Sequence, residues 1–186
     1  MWSMAFALPI SLRSQVNYGK FYDPGNSGGK VYQYETGVRA GRHLVLSTGV
    51  IFEYYKCEEF PSYFGIPEYR IVSEEMHQYA YGGTITAGFG QKVGLHLTYR
   101  FKRVRTYGKK ISEDFINAPG IYLTEAGFKE EPAYDVVLGM HYKIPKTNIL
   151  VTGDWTFVSK IWNTDRIMIT FGIGYEFNVG NIGKAN

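Results

Sequence analysis

The sequence predicts an all-β fold, an eight-stranded antiparallel up-and-down transmembrane β-barrel. Three observations predict it: apolar and polar residues alternate in eight segments, the connections alternate between short and long, and aromatic residues gather toward segment ends. The composition agrees, because 16 Tyr, 12 Phe and 22 Gly among 186 residues favour strands over helices. No linker-like stretch divides the chain, so we expect a single domain.

Alternation with period two defines the predicted strands, which are bounded mostly by Gly, Pro, Asn or Asp. They cover residues 4–18, 30–41, 43–56, 76–90, 92–106, 132–144, 147–160 and 166–178. The third strand is irregular, because Val45 and Ile51 fall on its polar face. The fifth is regular, with every second residue apolar over 93–101. The sixth has one exception, Val137, and the last carries six large apolar side chains over 167–177.

The connections between the predicted strands alternate in length. Those at 40–42, 90–92 and 144–148 are short, those at 19–29, 57–75 and 107–131 are long, and 161–165 is intermediate. An up-and-down barrel with tight turns on one side and long loops on the other has this pattern. With an even strand number, both termini lie on the tight-turn side, which is periplasmic in an outer-membrane barrel.

The two ends of the chain carry separate expectations. Residues 1–178 are predicted to form the barrel and 179–186 a short polar periplasmic tail, which either ends there or marks where a further domain was cut away. Residues 1–10 lack a basic region and are a poor secretion signal. Either a signal was removed before the numbering starts, or residues 1–15 are its remnant.

In each predicted strand the alternating residues form an apolar row and a polar row. The composition of these two rows distinguishes a membrane barrel from a soluble one. A lipocalin-like ligand carrier has the same alternation with the apolar row inside. Here the polar row is rich in Gly and Thr, whereas a water-exposed face needs Lys and Glu. The apolar row has more large side chains than an eight-stranded interior can hold. We therefore expect lipid on the outside, although no apolar run approaches the roughly 20 residues of a spanning helix.

Charged residues of the polar row predict a lumen filled with ion pairs. The predicted lumen charge network consists of Glu35, Arg39, Glu53, Arg100, Asp135, His141, Asp154, Arg166 and Glu176, with Arg13 as a further cation. Unpaired buried charges cost on the order of several kcal/mol each, so we expect a ladder of ion pairs that plugs the lumen. The alternative for individual members is a solvated position at the rim. The basic run over 102–110 is typical of a solvated strand end.

The last predicted strand carries the most specific motif. Residues 170–177 read TFGIGYEF, with Gly172, Tyr175 and Phe177 in the pattern of the C-terminal signal recognised by the barrel-assembly machinery. With the eight-strand layout, the chain resembles small outer-membrane barrels of the OmpA and OmpX type. Residues 9–13 are similar to strands of the Bacteroidetes outer-membrane β-barrel family. The resemblance implies a bacterial outer membrane, with membrane lipid, lipopolysaccharide and the assembly machinery as partners. The chain departs from the family pattern because further residues follow Phe177, where the signal normally ends the protein.

No pattern for catalysis emerges from the nucleophiles and histidines. His43 and Ser47 lie roughly 13 Å apart on an extended strand, too far for a catalytic pair. His141 could pair with Asp135 or Asp154, which lumen packing explains equally well. We predict no enzyme activity, metal or cofactor, and a net charge of +3 gives no reason to expect nucleic-acid binding.

Function is therefore expected in the long loops, which are rich in aromatic residues. The predicted loop binding residues are Phe60, Tyr63, Phe64, Tyr69, Phe115, Tyr122 and Phe128. Apolar loops favour a binding, adhesion or accessory-subunit role, with another envelope protein as partner. The alternatives are a narrow porin-like channel and, from a different class, the soluble ligand carrier.

Overall fold

A computed structural model describes residues 8–23, 27–58, 69–114, 120–161 and 164–182, all of them in strands or short turns. The strands are β1 (Leu8–Asp23), β2 (Ser27–Ala40), β3 (Leu44–Glu58), β4 (Tyr69–Phe89), β5 (Val93–Asp114), β6 (Gly120–Lys143), β7 (Ile149–Ile161), β8 (Thr164–Asp165) and β9 (Ile167–Ile182). In this described part of the chain, no helix has the length and hydropathy needed to cross a membrane.

The eight long strands close into a barrel, which confirms the predicted fold class. Each pairs antiparallel with the next along the chain, and β9 pairs with both β7 and β1. Tyr18 of β1, for example, is opposite Phe171 of β9. The two-residue strand β8 only extends the end of β7. Closure leaves no open sheet edge in the barrel wall, which a lipid environment requires.

Three tight turns lie at one end of the barrel, which we call the turn end. Gly41, Gly90 and Lys146 adopt positive φ values of 116°, 95° and 63° there. Both described termini lie at the same end, because Leu8 of β1 is opposite Ile182 of β9. The opposite end, where the predicted long connections lie, is called the loop end.

The apolar row faces outward on every long strand. Large apolar side chains that are at least 44% exposed occur on all eight strands: Val16, Val38, Val50, Ile85, Leu97, Leu138, Trp155 and Phe171. Together with their apolar neighbours they form a continuous outer belt. Such a belt suits lipid. For the described strands it excludes the inward-facing apolar row that a soluble ligand carrier needs.

The interior has an apolar cluster toward the loop end, and polar side chains predominate in the rest of the described lumen. Phe21, Val31, Tyr55, Val104 and Met168 are fully buried and, with Ala80 and Ala133, form one cluster inside the barrel. On β3, Val45 and Ile51 also point inward, with 4% and 0% of their surface exposed. The irregular alternation of the third predicted strand thus reflects apolar side chains that fill the lumen.

Several strands are longer than predicted at the loop end. The connection predicted at 107–131 is mostly strand, because β5 runs to Asp114 and β6 begins at Gly120. β4 begins at Tyr69, seven residues before the predicted start at 76. The sequence of these segments lacks strict alternation of apolar and polar residues, so the pattern that located the other strands is lost while backbone pairing continues. At the turn end, β9 continues to Ile182, past the predicted boundary at 178.

The extra strand residues form a sheet that projects beyond the barrel. Pairing between β3 and β4 ends where Lys56 is opposite His77, and pairing between β6 and β7 ends where Tyr134 is opposite Lys160. Residues 69–76 and 120–133 therefore pair only with β5 among the described strands. We call residues 69–76, 106–114 and 120–133 the projecting sheet. Its two outer edges pair with no further strand in the described part of the chain.

Candidate functional site

Many of the charged side chains that the structure describes lie inside the barrel. They include the cations Arg13, Arg39, Arg100, Lys102 and Arg166 and the carboxylates Glu35, Glu53, Asp135, Asp154 and Glu176. All nine residues predicted for the lumen charge network point inward. Most of them form cross-barrel contacts.

Lys102 lies at the centre of the most buried cluster. Its Nζ donates to the carboxylates of both Glu53 and Asp135 and to Tyr55 Oη at 2.8 Å. The Lys102, Glu53 and Asp135 side chains are fully buried. Tyr55 Oη donates to Glu53 at 2.6 Å. The expectation that the basic run over 102–110 is a solvated strand end is therefore wrong for Lys102. Every second side chain of β5 faces inward, and Lys102 is one of them.

Arg100 forms the second cluster. It lies two residues before Lys102 on β5, nearer the middle of the barrel. Its Nη2 lies 3.3 Å from Glu35 Oε2 and 3.3 Å from Asp154 Oδ2. Asp154 is also 3.1 Å from His96 Nε2. The guanidinium, 1% exposed, thus joins β2 to β7 across the lumen. A buried cation with two carboxylates nearby retains the partners that its desolvation requires.

A third cluster closes the turn end. Arg39 Nη1 donates to Glu176 Oε2 at 2.8 Å, and Arg39 Nη2 donates to the Gly90 carbonyl at 3.2 Å. Lys143 Nζ lies 3.7 Å from the other Glu176 oxygen. Glu176 is 13% exposed and Lys143 is 31% exposed, so this cluster borders solvent.

His141 lies beside His96 rather than beside a carboxylate. The two rings are stacked with centroids 6.1 Å apart. The suggested pairing of His141 with Asp135 or Asp154 does not form, because Asp154 binds His96 and Arg100 while Asp135 binds Lys102.

Arg166 closes the loop end of the lumen. Its guanidinium lies 4.2 Å from the ring centroid of Phe21 and 5.1 Å from that of Tyr55, and its Nη1 donates to Gln78 at 2.9 Å. Cations in such positions are attracted to the ring faces. The Arg166 guanidinium therefore packs against Phe21 and Tyr55 of the apolar cluster.

Polar side chains without charge connect these clusters. Asn17 donates to Gln33 at 3.4 Å, Gln33 donates to Glu53 at 2.8 Å, and Thr152 donates to Asn17 at 3.2 Å. Thr84 donates to Glu35 at 3.2 Å. These hydrogen bonds link the ionic clusters to one another between the turn end and the apolar cluster.

A small cavity lies on the β2–β3 side of the lumen. Its volume is about 20 Å³, room for about one water molecule, and it is bounded by residues that include Arg13, Glu35, Gly37 and Gly49. Arg13 Nε and Nη2 make no hydrogen bond to the described residues. A water molecule at this position would satisfy them.

The predicted assembly-signal residues lie on β9 next to β1. Gly172 faces inward against Asn17, where a Cβ atom would collide with the Asn17 side chain. Tyr175 and Phe177 face outward, 50% and 43% exposed, with ring centroids 6.0 Å apart. Asn148 donates to Tyr175 Oη at 3.1 Å.

The predicted loop binding residues fall into two groups. Phe60, Tyr63, Phe64 and Phe115 lie outside the described residues. Tyr69 of β4 and two residues of β6, Tyr122 and Phe128, lie in strands, so their assignment to loops is wrong. Strand pairing extends the hairpin through these positions.

Among the described residues, no group of three or more His, Cys, Asp or Glu side chains could hold a metal ion. His96 and Asp154 form the histidine–carboxylate pair of the described lumen, and the hydroxyls bonded there belong to threonine and tyrosine. The arrangement is suited to filling and bracing the barrel.

Comparison with solved structures identifies small membrane barrels. Neisserial surface protein A matches with a TM-score of 0.57 at 14% identity, covering 90% of this chain and 97% of that chain. Ail, the attachment invasion locus protein of Yersinia pestis, solved with the heparin analogue sucrose octasulfate, matches with a TM-score of 0.50 at 14% identity, covering 91% and 99%. At this identity the likeness shows the fold. It supports the OmpA and OmpX type.

No protein-family model and no curated protein matches the chain. The resemblance of residues 9–13 to the Bacteroidetes family is therefore not confirmed.

Proposed function

We propose that this chain is a bacterial outer-membrane barrel whose filled lumen serves stability and whose projecting sheet binds a partner outside the cell. The observation that carries the proposal is that residues 69–76 and 120–133 each have one edge that pairs with no described strand. An unpaired strand edge is a template for an added strand, a common mode of peptide recognition. The partner would then contribute an extended segment to β6 or β4.

The outer-membrane location is supported by the outward apolar belt and by the fold shared with Neisserial surface protein A. The signal residues on β9 support insertion by the barrel-assembly machinery. An adhesion role agrees with the name of the attachment invasion locus protein, which has the same fold. The predicted loop binding residues would add apolar contacts around the sheet.

A narrow channel is the weaker candidate, because the lumen is filled at each level. Arg100 and Lys102 each bind two carboxylates inside the barrel. The described cavity beside Arg13 holds about one water molecule and is not a continuous pore. In a planar lipid bilayer we expect no steady current, and a constant open conductance would contradict the plugged lumen.

The register of β5 and β6 allows the projecting part of their hairpin to be removed, which also takes away the β5 residues that pair with 69–76 of β4. Arg105 is opposite Glu130, so residues 106–129 can be replaced by an Asn-Gly turn of the kind that closes tight hairpins. The shortened barrel should still need detergent for extraction. On a denaturing gel, the unboiled sample should still migrate faster than the boiled one. Cells that display it should lose the adhesion to an epithelial monolayer that the full chain confers.

A control variant keeps the strands and replaces only residues 115–119 with Gly and Ser. Retained adhesion of this control, together with loss in the shortened variant, supports binding by the sheet. Adhesion equal to empty cells for the full chain, or full adhesion of the shortened variant, would reject the proposal. A chain that is soluble without detergent would reject the location.

A further inference from the structure

One level of the barrel interior has glycine on two adjacent strands. Arg13 of β1 is opposite Gly37 of β2, Gly37 is opposite Gly49 of β3, and Gly49 is opposite Thr84 of β4. These two glycines leave the level without side chains between Arg13 and Thr84. The cavity of about 20 Å³ lies there and is lined by all four residues. We call it the Arg13 cavity.

Polar residues close the Arg13 cavity on both sides along the barrel axis. Toward the loop end, Gln15 is opposite Glu35, and toward the turn end, Arg39 is opposite Ser47. These four residues also line the cavity. The Glu35 side chain is 17% exposed although it faces the interior, so water and small ions reach this part of the lumen.

Arg13 brings a positive charge to the cavity. Its Nε and Nη2 are buried and make no hydrogen bond to the described residues. The carboxylates that act on it electrostatically are Glu35, Asp154 and Glu176. The first two each lie 3.3 Å from Arg100 Nη2, and Glu176 is bound at the turn end by two other cations. Arg13 thus lies in the described lumen without a carboxylate in contact, an arrangement that is costly for a buried charge.

Glu35, the carboxylate that borders the cavity, is bound to other groups through both oxygens. Its Oε2 accepts from Arg100 at 3.3 Å, and its Oε1 accepts from Thr84 at 3.2 Å. The charges around the cavity therefore do not cancel. With neutral histidines, the described group carries one excess positive charge, because four cations face three carboxylates: Arg13, Arg39, Arg100 and Lys143 with Glu35, Asp154 and Glu176.

A water molecule in the cavity would accept hydrogen bonds from Arg13 but would leave the excess charge uncompensated. A monovalent anion supplies both the acceptor and the charge, and hydrogen bonds from a guanidinium to an anion are stronger than those to a neutral acceptor. The volume selects among anions. Room for about one water molecule admits an ion the size of chloride and excludes sulfate, phosphate and organic carboxylates.

We propose that the Arg13 cavity binds a chloride-sized monovalent anion, held by the Arg13 guanidinium with Arg39 and Ser47 on its turn-end side. The ion enters from the turn end, where the lumen borders solvent, and completes the charge balance of the filled lumen. The barrel is then more stable in chloride than with anions that are too large to enter. This site goes beyond the binding proposed for the projecting sheet and does not depend on it.

Chloride NMR of the full chain in nonionic detergent micelles measures the bound ion. Exchange with a protein site broadens the chloride signal. Bromide, which has the same charge and a similar size, should remove this broadening, whereas gluconate should not. Arg13→Gln should abolish the broadening, and Arg13→Lys, which keeps the charge, should retain part of it. The matched control Arg42→Gln removes an exposed arginine near the turn end and should retain all of it.

Stability gives a second measurement on the same samples. A site with a dissociation constant on the order of 10 mM raises the folding equilibrium constant about tenfold between roughly 1 and 100 mM chloride. Sodium gluconate keeps the ionic strength constant. In urea titrations the unmodified chain and Arg42→Gln should show this rise, and Arg13→Gln should show none.

Equal broadening in the unmodified chain and Arg13→Gln, or equal losses in Arg13→Gln and Arg42→Gln, would overturn the site. Stability of the unmodified chain that does not depend on chloride would mean that the cavity holds water alone, and would also overturn it. Faster migration of unboiled samples verifies that each variant is folded. Bromide competition and the chloride dependence use the unmodified chain, so they remain decisive if Arg13→Gln does not fold. Neither readout involves adhesion, so failure here is separable from failure of the proposed function.

Discussion

Replacing Lys102 tests whether buried ion pairs stabilise this barrel. In Lys102→Met the methionine has a similar volume, but the carboxylates of Glu53 and Asp135 lose their shared cation in the fully buried centre of the lumen. Removing one partner of a buried ion pair typically costs about 3–5 kcal/mol, because a charge is left without compensation. Two carboxylates depend on this one ammonium, so we expect the upper part of that range.

Arg103→Met is the matched control on the adjacent residue. The Arg103 side chain is 66% exposed and its ion pair with Glu130 lies outside the barrel. Exposed ion pairs contribute about 0–1 kcal/mol. Unfolding in urea, measured by the band shift on unboiled gels and by Trp fluorescence, gives both values in the same micelles. A cost for Lys102→Met within about 1 kcal/mol of the control would refute the reasoning.

The triple variant Lys102→Met, Glu53→Gln and Asp135→Asn separates charge from packing. It removes the cation and both negative charges while nearly keeping the side-chain volumes. Replacing all members of a buried ionic group is often neutral or stabilising. We expect it to recover most of the stability lost in the single variant, and a triple variant as unstable as the single one would indicate a packing defect.

Three further predictions address other parts of the chain. Gly37→Ala should lower the free energy of unfolding by about 1–3 kcal/mol, since its Cβ would collide with backbone of β3, whereas Gly153→Ala, with its nearest atoms at 3.5 Å, should leave the urea midpoint nearly unchanged. Phe177→Ala should slow insertion in cells, seen as a larger protease-sensitive periplasmic fraction; an unchanged fraction argues against an assembly signal. At the rim beyond the belt, the hydrogen bond from Arg105 holds the pKa of Glu130 below its ordinary value. This small stabilisation is present at neutral pH and is lost as the pH falls through the lowered pKa, and Arg105→Gln should raise that pKa in an NMR titration.

The barrel wall could be predicted because lipid imposes a strict rule on each strand. Outward positions such as Leu97 and Phe171 must be apolar while inward positions such as Thr98 and Thr170 need not be, so parity alone assigns the two faces. Strand ends were predicted less well at the loop end. There the hairpin of β5 and β6 leaves the membrane, and pairing continues without the alternation that identifies it.

The sequence predicts which charged residues lie in the lumen, but it does not predict which of them form ion pairs with each other. Parity places Arg100, Asp135 and Asp154 inside. The partners of Arg100 depend on the stagger between β5 and two strands that are not its neighbours, β2 and β7, and the sequence of one strand does not determine that stagger. Lys102 is two residues from Arg100 on β5 and therefore faces the same side, which indicates that it lies inside the barrel. Its position at the start of a basic run instead suggests that it is solvated.

Several ion pairs of the lumen join strands that are not neighbours in the sheet. Arg100 on β5 reaches Glu35 on β2 and Asp154 on β7, and Arg39 on β2 reaches Glu176 on β9. These ion pairs hold non-neighbouring strands at a fixed separation, so lateral pressure from the bilayer cannot easily flatten the barrel. They also oppose a slip of strand register, because a shift by one residue would turn a charged side chain outward and place its charge in lipid.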